Sequence, residues 1–459
     1  MAISSLFVAN RGEIAVRVIR AARELGIRTV QAVSAADRDM LAARMADAVV
    51  EIGPAHARKS YLDIDAVLAG ARASGADAVH PGYGFLSENA DFAERVEAAG
   101  LVFVGPKAET IRAMGDKATA RAMAAAAGVP TVPGSEGRVD GVEEARRVAR
   151  EIGYPVMIKA SAGGGGRGIR VAESPSELET LIPQASAEAL AAFGDGGLYL
   201  ERFVAEARHV EVQILGDGER AIHVYERECS LQRRRQKVWE EAPAACLGPE
   251  AREALCASAV RLAESVGYRG AGTLEYLYDA RTGEFFFIEM NTRIQVEHPI
   301  SEMVTGIDLV REMIRVCGGA PLAYRQEDVR LSGHAIEVRI NAEDPANAFM
   351  PAPGVVSALA VPGGMGVRFD TMLYPGYAVP PFYDSLLGKL VVWDETRAGA
   401  LKRLARALGE LRVDGITTTA ALHQALAADP SVAAGDFHTR WLEGWLDANP
   451  LAPPTPRNG

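Results

Sequence analysis

The sequence predicts a multidomain chain of α/β and α+β class. Three observations carry that reading. Strands and helices alternate through the N-terminal quarter, a glycine-rich hairpin interrupts the middle, and an aromatic strand near residue 287 runs into a cluster of polar side chains. With 459 residues the chain exceeds one ordinary core and predicts two to four domains.

Composition narrows the function classes. Apolar residues at 48% and charged residues at 24% are those of a soluble globular protein. A net charge of −11 argues against nucleic acid as a partner, because neutralising phosphates needs a basic surface. Cys229, Cys246, Cys256 and Cys317 show neither C-x-x-C spacing nor a neighbouring histidine pair, which points to reduced thiols. No basic-then-apolar leader opens the chain, and no apolar run approaches the ~20 residues that span a bilayer. The expected location is cytoplasmic, with no membrane partner.

Taken in order, Leu6–Ala9, Thr29–Val33, Ala48–Val50, Ala76–His80 and Val102–Gly105 read as strands with helices between them, the first over 13–25. This βα alternation predicts a parallel sheet of Rossmann-like type. Its first turn is Asn10-Arg11-Gly12-Glu13 and not G-x-G-x-x-G, so no dinucleotide site is indicated. The run His80 to Asn89 (H-P-G-Y-G-F-L-S-E-N) follows a strand. It reads either as a loop facing a site or as a Gly/Pro turn with Ser87 capping the next helix. Two helices over 107–128 flank Gly115-Asp116-Lys117, where a lysine by itself is usually solvated.

Residues 131–203 form a small α/β unit: a helix over 142–152, a strand over 155–160 ending beside Lys159, and the run Gly163–Gly168. Consecutive glycines let backbone N–H groups approach phosphate, and equally make a flexible turn; no G-K-[ST] follows, so this is not a P-loop. A strand over 169–172, a helix within 176–193 and a strand ending at Glu201 follow. His209–Leu215 alternates cleanly as a strand, with Ala221–Tyr225 as its hairpin partner. The basic run Glu228 to Lys237 reads as a local anion site, since Glu240 and Glu241 follow at once.

Phe285–Ile288 reads as a buried strand leading into Glu289-Met290-Asn291-Thr292-Arg293-Ile294-Gln295-Val296-Glu297-His298. Alternation places Glu289 and Asn291 on one side, an oxygen-donor pair suited to a hard cation. Arg293 offers a fork for an oxyanion, and Glu297 a carboxylate able to act as base. A hairpin over 281–283 would bring Glu275 beside Glu289. A third unit begins at His334–Asn341, with Glu337, Arg339 and Asn341 on one face and Ile336, Val338 and Ile340 on the other. Helices over 397–411 and 417–427 close it, and the proline-rich tail from Pro450 reads as disordered.

From Leu6 to Leu442 the chain resembles biotin carboxylase, the ATP-grasp component of acetyl-, propionyl-, methylcrotonyl- and pyruvate-type carboxylases. The resemblance rests on A-N-R-G-E-I-A at 9–15, H-P-G-Y-G-F-L-S-E-N at 80–89, G-P-K-A-E-T-I at 105–111 and M-G-D-K at 114–117. It continues through A-S-A-G-G-G-G-R-G at 160–168, E-M-N-T-R-I-Q-V-E-H-P at 289–299 and R-I-N-A-E-D-P at 339–345. It implies an ATP-grasp fold: a Rossmann-like domain over 1–114, an ATP-grasp domain over 115–325 with a mobile lid at 131–203, a C-terminal mixed domain over 326–447, and a tail over 448–459.

The resemblance also implies roles. Lys117 and Lys159 hold ATP phosphates beneath Gly164, Gly165 and Gly166. Glu201, Arg202 and Val204 line the adenine edge, with His209, Gln232 and Arg235 near the nucleotide. Glu275, Glu289 and Asn291 carry two Mg2+ or Mn2+ ions. Lys237, Arg293, Gln295 and Val296 surround bicarbonate, and Glu297 is its base. Arg339 binds biotin and steadies its enolate, and Tyr83 borders the biotin pocket. The reaction implied is ATP-dependent carboxylation of biotin, with a biotin carboxyl carrier protein and a carboxyltransferase as partners and a homodimer as the usual assembly. No A-M-K-M-like biotin-attachment segment occurs in the chain, so carrier and transferase are expected to be separate polypeptides.

Three departures stand out. Arg235 replaces a common histidine, Arg202 a common lysine, and Trp239 a small aliphatic residue beside Lys237, where it could reshape the bicarbonate edge or pack. Two other readings compete: a carbamoyl-phosphate-synthetase-like ligase that also phosphorylates bicarbonate, and a non-catalytic scaffold subunit. The single copy of the unit opposes the first, and the intact Glu275, Glu289, Asn291, Arg293 and Glu297 oppose the second.

Overall fold

A computed structural model describes residues 3–135, 137–160, 169–193 and 195–451. The glycine run with Gly164, Gly165 and Gly166, and the tail beyond Leu451, lie outside the described residues. The chain divides into two units. One joins Met1–Val129, Arg208–Tyr276 and Glu289–Gly459; the other joins Pro130–Ala207 and Leu277–Ile288.

In the first unit a five-stranded parallel sheet runs in the order Ala48–Gly53, Arg28–Ser34, Ser5–Val8, Ala78–His80, Val102–Phe103. Its central strand is wholly inside, with Leu6, Phe7 and Val8 inaccessible to solvent. Parallel strands covered on both faces are mostly apolar, which is why the alternating βα pattern was legible. The turn into the helix Gly12–Glu24 needs φ +71° at its first residue, a conformation that glycine adopts without strain. Asn10 in that turn donates to the carbonyls of Pro81 and Tyr83 at 2.6 and 2.8 Å, tying it to the H-P-G-Y loop. Asn89, and not Ser87, caps the helix Ala90–Ala98, accepting from the Phe92 amide at 2.8 Å.

A second sheet has eight strands in the order Glu284–Asn291, Arg269–Asp279, Ala207–Asp217, Ala221–Arg233, Gln236–Ala242, His334–Asn341, Leu386–Asp394, Val367–Thr371. His334–Asn341, the expected start of a third unit, therefore pairs directly with Gln236–Ala242. That pairing satisfies backbone groups that would otherwise be an open sheet edge. Its Ile336, Val338 and Ile340 pack with Leu404, Leu408 and Leu422 in one core. The strand Ala221–Arg233 extends eight residues beyond its predicted end, so the basic run is strand, turn and strand. Arg234 and Arg235 make the two-residue turn with φ of 48° and 66°, the signs that a type I′ hairpin needs.

The second unit carries a three-stranded antiparallel sheet, Ile169–Ala172, Val156–Ala160 and Leu198–Arg202, under the helices Gly141–Ile152 and Pro175–Phe193. Val148, Ile158, Leu178 and Leu200 form its core. Ile288, predicted to be buried, is 36% exposed. Among the described residues no helix is long and apolar enough to cross a membrane.

Candidate active site

Strand alternation builds one polar floor on the part of the eight-stranded sheet that belongs to the first unit. Along Ala207–Asp217, His209, Glu211 and Gln213 alternate with Val210, Val212 and Ile214, and all six are buried. On Gln236–Ala242 a register shift in the pairing with Ala221–Arg233 lets Lys237 and Glu240 serve the same floor despite their odd spacing. Trp239 goes to the other side, against Leu231, Ile336 and Val338. It packs there, and its indole N–H donates to Glu241 at 2.9 Å.

Lys237 Nζ lies 2.5 Å from Glu211, 2.9 Å from Glu275 and 2.7 Å from Glu297. Arg227 is wholly buried and gives its donors to Glu211 at 2.7 Å, Gln213 at 2.5 Å, Ser301 at 3.0 Å, Thr273 at 3.1 Å and Gln295 at 2.9 Å. Arg339 bonds Glu240 at 2.6 Å and Glu297 at 3.0 Å. His209 Nε2 stands 3.3 Å from Glu275 and 3.6 Å from Glu211.

Charge balance follows from these contacts. Burial alone would raise the Glu211, Glu275 and Glu297 carboxyls, but Lys237 acting together with Arg227, His209 or Arg339 outweighs it and holds all three low, so they are ionised. Burial opposes charge on His209, yet Glu275 and Glu211 together lift it to about 9. Three carboxylates (Glu211, Glu275, Glu297), and Glu240, which burial lifts to about 7, thus face four cations (His209, Arg227, Lys237, Arg339) in a buried cluster. Such pairing makes buried charges tolerable.

Glu297 follows the strand Glu284–Asn291 by a tight turn and begins the helix His298–Thr305. Within that turn Arg293 binds Glu88 and the Asn291 side-chain oxygen, both at 2.9 Å. Glu88 belongs to the H-P-G-Y run, which settles that run as a loop facing the site. Gln295 donates to Glu275 at 2.9 Å, and the Val296 carbonyl accepts from Lys389 at 2.8 Å. Tyr83 donates to buried Glu13, and burial keeps its phenol protonated.

The expected metal positions are adjacent. Asn291 donates to Glu275 Oε1 at 3.0 Å. Burial first, and then the Glu275 charge, raise Glu289 above the usual carboxylate range; Lys117 lies 4.0 Å away. Oxygen donors with surplus negative charge fit a hard divalent cation. A second candidate set of ligand atoms, within 4.8 Å of one another, comes from His209, Glu211 and Glu275, and a third from Glu211, Cys229 and Glu297.

Other expected residues have other partners. Arg235 is exposed in its turn, and the Gln232 amide is spent on the Cys229 carbonyl at 2.8 Å. In the second unit Lys159 pairs with Glu201, and its ammonium lies 5.8 Å from the Tyr199 ring centre. Arg202 pairs with Glu284 at 2.9 Å, and Val204 is buried against Val132, Ala207 and Phe286. Sequence reading missed Glu88, Glu211, Arg227 and Glu240. The strict H-V-E-V-Q alternation at 209–213 was the available signal for Glu211.

A parallel-sheet N-terminal segment, a small unit with a three-stranded antiparallel sheet and a continuing antiparallel sheet define the class: an ATP-grasp fold between a Rossmann-like and a mixed domain. Three family models match in that order: "Biotin carboxylase, N-terminal domain" at 2–111, "Carbamoyl-phosphate synthase L chain, ATP binding domain" at 116–325 and "Biotin carboxylase C-terminal domain" at 337–444. The chain belongs to the biotin carboxylase family. It is 54% identical over 443 residues to the biotin carboxylase of Pseudomonas aeruginosa, covering 96% of this chain and 98% of that protein. The biotin carboxylase domain of a thermophilic 2-oxoglutarate carboxylase bound to bicarbonate superposes with a TM-score of 0.92 at 44% identity, covering 97% and 98% of the two chains. The biotin carboxylase–β,γ-ATP complex of Campylobacter jejuni gives 0.87 at 46% identity, covering 96% and 99%.

Proposed function

We propose that this chain is an ADP-forming ligase that carboxylates biotin with bicarbonate at the expense of ATP, the first half-reaction of a biotin-dependent carboxylase. The observation that carries the reading is Glu297, buried and ionised between Lys237 and Arg339.

Bicarbonate is a poor electrophile, so its activation requires phosphorylation. Lys237, Arg293 and Gln295 present the donors that would hold it, and Glu297 takes its proton as the γ-phosphoryl group is transferred, giving carboxyphosphate and ADP. As Lys237 and Arg339 turn towards anionic substrate, Glu297 loses cationic partners and its proton affinity rises, which suits a base. Carboxyphosphate then separates into CO2 and phosphate; phosphate removes the ureido N–H proton, and that nitrogen attacks CO2 while Arg339 stabilises the enolate oxygen. Glu275, Glu289 and Asn291 would hold Mg2+ or Mn2+, which neutralises the crowded phosphates; we assign two ions. Lys117 in the first unit, and Lys159, Glu201, Arg202 and Val204 in the second, are assigned to the nucleotide.

Biotin carried on a separate protein, a carboxyltransferase partner, a homodimer and a cytoplasmic location complete the proposal. Supporting the dimer, a related 2-oxoglutarate carboxylase biotin carboxylase domain is described as a dimer with MgADP and bicarbonate. The test is ADP release with ATP, Mg2+, bicarbonate and free biotin, each omitted in turn. Turnover that needs bicarbonate and rises with biotin is expected. Bicarbonate-dependent turnover indifferent to biotin would favour the carbamoyl-phosphate-like reaction, and no turnover with ATP still bound would favour the scaffold.

A further inference from the structure

Glu240 has no part in the chemistry above, yet it is fully buried on the polar floor. Its Oε1 accepts from Arg339 Nε at 2.6 Å and lies 2.5 Å from Arg339 Nη2, while the same Nη2 reaches Glu297 at 3.0 Å. Two of the three guanidinium nitrogens are therefore fixed by carboxylates; Nη1 has no protein acceptor among the described hydrogen bonds. The backbone beneath is held as well, since the Arg339 carbonyl accepts from Thr419 at 2.8 Å and faces His423 Nε2 at 2.7 Å.

Directly across the strand pair from Glu240 sits Glu337, equally buried, with both carboxyl oxygens unpartnered. Burial keeps Glu337 protonated, which leaves Glu240 as the member of the pair that meets the Arg339 charge. Burial lifts the Glu240 carboxyl to about 7, and only a cationic partner beside it opposes that rise. Arg339 is that partner, and a guanidinium gripped on two nitrogens has one plane available to it.

We propose that Glu240 is a positioning residue for biotin carboxylation: by gripping Nε and Nη2 it sets the plane of Arg339 and reserves Nη1 for the ureido oxygen. The inference rests on the assignment of Arg339 to biotin. Without Glu240 the guanidinium can rotate fully onto Glu297, weakening both the biotin contact and the base.

The test is steady-state kinetics of Glu240→Ala and Glu240→Gln with free biotin. Glu240→Ala is expected to raise the biotin KM about tenfold while the ATP KM moves less than about threefold, and the isosteric Glu240→Gln, which keeps an acceptor oxygen, to recover part of the loss. Parallel rises in both constants, or no rise in either, would overturn the proposal. Should Glu240→Ala not fold, the same split in Glu240→Gln decides it. A wild-type enzyme indifferent to biotin would instead refute the functional reading itself, and this inference with it.

Discussion

Lys389 Nζ donates to the carbonyl oxygen of Val296 at 2.8 Å from a position closed to solvent. Its other partner is buried Glu13, at 3.2 Å. The turn that carries Glu297 is thus pinned from the strand Leu386–Asp394, three strands away from Ala221–Arg233 in the same sheet. Lys389→Met removes the cation beside Glu13, whose carboxyl burial already raises, and we predict a loss of about 3 kcal/mol in urea unfolding. Adding Glu13→Gln should restore part of that loss. A single variant within 1 kcal/mol of wild type, by the same reasoning, would refute the role.

Glu297→Gln retains shape and acceptor oxygen but cannot take a proton. Turnover should fall about 10²–10⁴-fold, with nucleotide affinity in an equilibrium titration changing only a few-fold. Equal loss of nucleotide binding would mean that Glu297 holds the site together and is not its base.

Glu289 carries surplus negative charge beside Glu275. Glu289→Gln should raise the Mg2+ concentration for half-maximal ADP formation about tenfold, and excess Mg2+ should recover rate. An unchanged Mg2+ curve would remove Glu289 from the metal set.

Acid stability has a marked contributor in Glu241. Burial would raise its carboxyl, but hydrogen bonds from His334 at 2.9 Å and Arg397 at 2.6 and 2.9 Å bring it down to about 2 from an ordinary 4.5. A folded-state pKa below the unfolded one gives stability that is complete above about pH 4.5 and is lost as pH falls towards 2. The stability gap between wild type and Glu241→Gln, roughly 3 kcal/mol at neutral pH, should close across that window. A gap constant from pH 7 to pH 3 would contradict the assignment.

What the residues disclosed by themselves was local. Glu289 to Glu297 are contiguous, so a strand followed by a turn presents their chemistry whatever lies around them. The parallel N-terminal sheet was equally legible, because strands covered on both faces are predominantly apolar.

Long-range pairing decided the rest. Arg293 meets Glu88, Arg227 meets Gln295, and Arg339 meets Glu240 across separations of 205, 68 and 99 residues, which no local pattern encodes. Whether Trp239 faced the site or the core depended on a register shift, and one residue of slip exchanges the two faces of a strand. The sequence by itself determined which chemical groups are present and which neighbours share a face. Only the tertiary structure decided which charges meet, because strand register and burial select partners that chain order leaves far apart.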